Sequence, residues 1–116
     1  MKILIVEDEV ITALLMERQL KRMGFQVSDH VTTGELAILS VQANAPDVIL
    51  MDIQLAGVLN GIEASIEIRK TSLVPIIFIT GFDDATLRKQ SEQVNPLAYM
   101  IKPFDEVLLK KLLDAL

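Results

Sequence analysis

Ile3-Leu4-Ile5-Val6-Glu7-Asp8 and Asp47-Val48-Ile49-Leu50-Met51-Asp52 decide the fold. Each holds a continuous apolar run that ends directly on carboxylates. A run without polar alternation is the pattern of a strand buried on both faces, as in a parallel sheet covered by helices. Pro75–Ile79 and Leu97–Ile101 repeat it further along, and Gln26–Asp29 is a weaker version. Helical patterns lie between these strands. Glu9–Met23 has apolar residues at 10, 11, 14, 15, 20 and 23, with Glu17, Arg18, Lys21 and Arg22 between them and Gly24 as a C-cap. Thr33 or Gly34 opens a second helix to about Asn44, which Pro46 stops. Asn60-Gly61 leads into a third, Ile62–Lys70, and Asp83 or Asp84 caps a more polar fourth to Gln93. After Pro103, Asp105 caps a Leu-rich fifth. Five alternating βα units predict a single doubly wound α/β domain over residues 1–116, with right-handed crossovers and helices on both faces of a parallel sheet.

Composition agrees with this reading and removes several classes. The chain has 116 residues, enough to bury roughly 65% of the surface its unfolded form exposes. With no Cys it has neither a disulfide framework nor a thiolate site. The net charge of −5 argues against a duplex nucleic-acid surface, which requires a clustered basic stripe. The chain is 51% hydrophobic, yet no apolar run approaches the ~20 residues of a membrane span, and the N-terminus lacks the long apolar core of a secretory signal. A soluble cytoplasmic protein, without direct nucleic-acid or membrane partners, is expected.

In a doubly wound sheet, ligands bind beyond the carboxyl ends of the strands, where strand order reverses. Glu7 and Asp8 follow the first strand, Asp52 the third, Thr80 and Gly81 the fourth, Lys102 and Pro103 the fifth. Three carboxylates, a hydroxyl and an ammonium therefore converge on one edge. Any one of them alone is more often a cap or turn residue: Asp8 as a helix cap, Thr80-Gly81 as a plain turn. As a set they agree on one chemistry. Clustered carboxylates repel unless a cation joins them, and an all-oxygen set suits Mg²⁺. A divalent ion beside a lysine and a hydroxyl is the equipment of phosphoryl transfer, with an Asp as nucleophile.

Four segments carry a resemblance over the whole chain: Ile3–Glu9, Asp47–Asp52, Ile76–Gly81 and Tyr99–Phe104. The sequence resembles the response-regulator receiver domains of two-component signalling, similar to the chemotaxis receiver. The resemblance implies a flavodoxin-like strand order of 2-1-3-4-5. It further implies that Asp52 accepts a phosphoryl group from a sensor histidine kinase or phosphotransfer protein. Asp8, Asp52 and the main-chain carbonyl of Gln54 would bind Mg²⁺, and Glu7 would act through water. Lys102 would pair with the phosphoryl group, preceding a cis bond to Pro103, and Thr80 and Tyr99 would move toward the new charge. Gly81 would leave room for it. The helix 4–strand 5–helix 5 face, about Asp84–Gln93, Leu97–Ile101 and Asp105–Leu116, would pass the signal to an effector. Such a domain catalyses its own phosphorylation and slow dephosphorylation and is not a conventional enzyme.

Departures are local. The family usually has Met-Pro three and four positions after the phosphoacceptor and Gly at the eighth. Here those positions hold Leu55, Ala56 and Asn60, and the glycine comes one later, at Gly61. The loop from Leu55 to Gly61 is one residue longer and lacks the proline, with Val58 and Leu59 as candidates for exposure. Gln54 and Phe82 stand where the family tunes phosphoryl lifetime, and a bulky Phe82 is expected to shield the site. His30, at the end of strand two, reads as structural, and Met16, Met23, Met51 and Met100 as core. Leu108, Leu109, Leu112, Leu113 and Leu116 exceed one buried stripe, which points to a homodimer or a continuing helix. Two other readings stand beside the receiver: an Mg²⁺-dependent Asp-nucleophile phosphatase, which wants a second Asp where Gln54 lies, and a receiver-like binding module that works without phosphorylation. The chain reads as a stand-alone receiver or one excised from a longer protein.

Overall fold

A computed structural model describes all 116 residues, Met1–Leu116. The elements alternate as β1 (Ile3–Val6), α1 (Val10–Arg22), β2 (Val27–Val31), α2 (Gly34–Asn44), β3 (Val48–Met51), α3 (Gly61–Arg69), β4 (Ile76–Thr80), α4 (Ala85–Ser91), β5 (Ala98–Ile101) and α5 (Glu106–Asp114). All five strands run parallel in the order β2-β1-β3-β4-β5, the doubly wound topology that the sequence implies. Strand order reverses between β1 and β3, in register from Ile3↔Val48 to Val6↔Met51.

Successive side chains of a strand point to opposite faces, and here both faces are apolar and covered. Leu4, Val6, Ile49, Met51, Ile76 and Phe78 join α2, α3 and Val94 in one core, while Ile3, Ile5, Val48, Leu50, Ile77 and Ile79 join α1 and α5 in the other. The central strands β1, β3 and β4 are buried throughout. Strand β2, at the edge, carries Ser28, Asp29 and His30, and none of its residues is fully buried. It begins at Val27 and continues through Val31, later than its hydrophobicity suggests. Backbone pairing to β1 sets its limits, with a register shift at Ile3/Leu4.

The helices start where side-chain oxygens meet their free N–H groups. Thr33 accepts from Leu36 N, Asp84 from Thr86 and Leu87 N, and Asp105 from Val107 and Leu108 N. Asn60 and Glu63 form a reciprocal capping box on α3. Helix α1 is capped at Glu9 without a side-chain bond, so Asp8 is not its cap and stays free for the site. At its far end Gly24 N and Phe25 N donate to Lys21 O and Leu20 O, the Schellman pattern. Helix α4 ends at Ser91 and tightens into a 3₁₀ turn over Glu92–Val94, shorter than the run to Gln93 expected from sequence. Met16, Met51 and Met100 are core residues, whereas Met23 is only half-buried against it. No helix is long and apolar enough to cross a membrane.

Candidate functional site

The topology brings the ends of β1, β3, β4 and β5 to one edge of the sheet. Asp52 N donates to Val6 O at 3.0 Å, Lys102 N to Thr80 O at 2.7 Å and Glu7 N to Val31 O at 3.0 Å, so the parallel ladder runs into the site and fixes its backbone. Oxygen atoms of Glu7, Asp8 and Asp52 all lie within 4.8 Å of one another. The Lys102 ammonium bridges two of these residues, at 2.6 Å from Glu7 Oε1 and 2.9 Å from Asp52 Oδ2. Lys102–Pro103 is a cis peptide bond. A cleft of about 340 Å³ opens above this cluster, lined by Asp8, Asp52, Gln54, Gly81, Phe82 and Lys102, with Glu9, Thr12, Leu55 and Ala56 completing its wall.

Electrostatically the cluster is unbalanced. Burial, then Asp52, push the Glu7 carboxyl up to about 7, while Lys102 opposes them. Burial alone would lower Lys102, but its bonds to Glu7 and Asp52 override this and hold it above the usual lysine range. One oxygen of Glu7, Oε2, is buried without any partner. A buried, orphaned carboxylate oxygen is costly, and a cation satisfies it directly or through water. The acidic trio, its all-oxygen chemistry and this free oxygen fit a hard divalent ion such as Mg²⁺.

The remaining sequence-predicted residues are distributed around this centre. Thr80 is fully buried at the end of β4, and its hydroxyl accepts a 3.4 Å bond from Phe82 N. Tyr99, on β5, packs at 6.2 Å from the Phe78 ring, and its hydroxyl is buried without a partner. Burial raises the Tyr99 phenol, opposed by Arg88, whose guanidinium lies 4.6 Å over the ring. Gln54 N donates to Asp52 Oδ1 at 3.3 Å. Phe82 lies at the mouth of the cleft and is about half exposed.

Two features were not readable as part of the site. His30 Nε2 lies 2.9 Å from the Glu7 carbonyl oxygen, so the edge strand steadies the acidic turn and the imidazole nitrogen donates. Glu35, on α2, accepts bonds from Val58 N and Leu59 N and ties down the longer loop. Val58 is 89% exposed, whereas Leu59 tucks against the core.

With this geometry in place, comparison with known proteins settles the class. Residues 3–114 match the response regulator receiver domain, and the chain belongs to that family of two-component signalling proteins. Protein PilH of Pseudomonas aeruginosa is 34% identical over 117 residues, covering 98% of this chain and 95% of that protein. The transcriptional regulatory protein PdtaR of Mycobacterium tuberculosis is 27% identical over 89% of this chain, which spans only half of that regulator's length. Among solved structures, the signal receiver domain of a modulated diguanylate cyclase from Desulfovibrio desulfuricans is similar, with a TM-score of 0.89 and 32% identity over 98% of this chain and 90% of that one. So is the receiver domain of a sensor histidine kinase from Pseudomonas aeruginosa, with a TM-score of 0.86 and 33% identity over 98% and 94% of the two chains. That domain has a magnesium ion coordinated in its active-site cleft.

Proposed function

We propose that Asp52 accepts a phosphoryl group from a phosphohistidine on a sensor histidine kinase or phosphotransfer protein. The carboxylate oxygen attacks phosphorus, the new P–O bond forms as the P–N bond breaks, and the electron pair stays on the departing imidazole nitrogen. Asp8, Asp52 and the Gln54 carbonyl would hold Mg²⁺, with Glu7 acting through water. When bound, the ion supplies positive charge for the phosphoryl oxygens. Lys102 would leave Glu7 and pair with the incoming anion. Gly81, which has nothing within 4 Å of where a Cβ would stand, leaves space there. Thr80 would donate its hydroxyl to a phosphoryl oxygen, and Tyr99 would follow into the space vacated.

The acyl phosphate carries about −1.5 to −2 charge, and its pull on Lys102 and Thr80 would repack the face formed by α4, β5 and α5. That face would meet the effector or a second copy of the chain. Leu108 on α5 and Leu116 just beyond its end are exposed, while Leu109 and Leu113 anchor the helix to the core. The observation that carries the reading is the Lys102 bridge between Glu7 and Asp52 beneath an orphaned Glu7 oxygen. Incubation with acetyl phosphate and Mg²⁺ should add one phosphoryl mass, and Asp52→Asn should abolish the gain. Undiminished labelling of that variant would move the phosphoacceptor elsewhere.

A further inference from the structure

The loop between β3 and α3 closes at a narrow neck. Gly61 N donates to Ile53 O at 2.7 Å, and a Cβ at Gly61 would stand 2.0 Å from the Asp52 carbonyl oxygen, so only glycine fits beside the phosphoacceptor backbone. Residues 54–60 then project outward, with Gln54, Leu55 and Ala56 lining the cleft. No backbone hydrogen bond within the loop fixes its outer half, although Leu59 packs against the core and Asn60 N donates to Glu63 Oε1 on α3. Further fixing groups come from the start of α2: its cap Thr33 makes a parallel bridge to Ala56, and Glu35 Oε1 accepts from Leu59 N at 2.8 Å and from Val58 N at 3.2 Å. The second Glu35 oxygen occupies the space beside Gly57, where a Cβ would stand 2.7 Å away. Gly57 has φ +93°, a conformation that L side chains rarely adopt. The loop's shape and the carboxylate are therefore fitted to each other.

We propose that Glu35 is a positioning residue for the phosphoacceptor cleft: its carboxylate clasps the outer loop so that Gln54–Ala56 keep the metal-binding side of the cleft in shape. The inference rests on the phosphoacceptor reading above. The Leu59 N–H, foremost among the hydrogen bonds to this carboxylate, holds the Glu35 carboxyl below its ordinary range, as an engaged carboxylate requires. Without the acceptor, two N–H groups turn to water, and the seven residues between the Ile53–Gly61 neck gain conformations that move Gln54. Partners one step removed from a metal site typically change its affinity by about 10–100-fold, and this link works through the backbone, so the low end applies.

The full 116-residue chain, titrated with Mg²⁺ alone and followed by the backbone amide signals of Gln54 and Ala56, tests the clasp. Glu35→Ala should weaken Mg²⁺ binding about tenfold and speed amide exchange at Val58 and Leu59. Glu35→Gln keeps an acceptor oxygen without the charge and should restore most of the affinity, which a purely electrostatic effect on α2 would not permit. Gly57→Ala attacks the same contact from the loop side, and the double variant should be no weaker than the worse single one. If Glu35→Ala does not fold, Glu35→Gln and Gly57→Ala decide the matter. Wild-type Mg²⁺ affinity in Glu35→Ala and Gly57→Ala, with normal phosphoryl uptake from acetyl phosphate, overturns the clasp and leaves the functional reading intact. A wild-type chain that neither binds Mg²⁺ nor takes up phosphoryl overturns that reading, and the clasp with it.

Discussion

Val6 and Glu7 are consecutive residues at the end of β1, buried alike at 0% and 1% exposure, and opposite in chemistry. Val6 packs into a covered sheet, where every atom removed from water adds stability. Glu7 enters the same low-dielectric surroundings with one oxygen bonded to Lys102 and the other bonded to nothing. The sheet therefore supplies the free energy that its carboxyl edge consumes. A stretch of backbone held by continuous ladder bonds can keep a strained charge cluster in place, whereas a surface loop would relax and let water in.

The sharpest way to break the comparison is on the apolar side. Phe78 is fully buried in the core under α2 and α3 and supports the Tyr99 ring. Phe78→Ala should cost about 4 kcal/mol, the usual loss for a buried aromatic that leaves a cavity. Equilibrium urea unfolding checks this, and a loss below about 1.5 kcal/mol would mean that the sheet face collapses around the gap.

The next test acts on the polar side, through pH. The Glu7 carboxyl moves from an ordinary 4.5 to about 7 in the folded chain. Between these values the native state binds more protons than the unfolded state, so stability falls as pH rises. The contribution is complete below pH 4.5 and lost through about pH 7, with an upper bound on the order of 3 kcal/mol. The raised Lys102 value acts only in the alkaline range, outside this window. Metal-free protein should therefore melt several degrees lower at pH 8 than at pH 5, and millimolar Mg²⁺, which competes with the proton, should remove the drop. Glu7→Gln should flatten the curve without metal. A flat metal-free profile in the wild type would show that the acidic edge carries no such strain.

The same contrast explains how far the sequence could be read. β1, β3 and β4 were legible because burial on both faces leaves unbroken apolar runs, and Asp52 and Lys102 because strand ends are where a doubly wound sheet exposes polar groups. The edge strand β2 starts one residue and ends two residues later than its sequence suggests, since pairing with β1 sets its ends and its polar residues carry no periodic signal. The Glu35 contact was invisible: a glutamate in a helix's first turn already has a local explanation in the helix dipole. Its partners, Val58 and Leu59, are engaged through their backbone N–H groups, which every residue type shares. The sequence left Val58 and Leu59 alike as candidates for exposure for a related reason, because a longer loop without proline says nothing about which residue turns inward.

The smallest effect on stability should come from the surface, where apolar residues lie outside the core altogether. On α1, Val10, Ile11, Leu14 and Leu15 are all exposed, and Leu15 also borders a groove of about 590 Å³ shared with Arg18, Lys102, Pro103 and Phe104. Contiguous exposed apolar surface is typical of interaction sites, and this groove is lined in part by Lys102, whose ammonium would meet the phosphoryl group. A protein that delivers phosphoryl to Asp52 must cover the cleft, so α1 is the flank it would grip. Leu15→Asp removes no buried contact and should shift stability by no more than about 0.5–1 kcal/mol. Acetyl phosphate, which needs no docking face, should label the variant at the wild-type rate, while transfer from a phosphohistidine protein should fall about tenfold or more, the loss of one buried apolar anchor. Equal slowing with both donors would place Leu15 in the support of the site, and equal wild-type rates would free α1 from any part in docking.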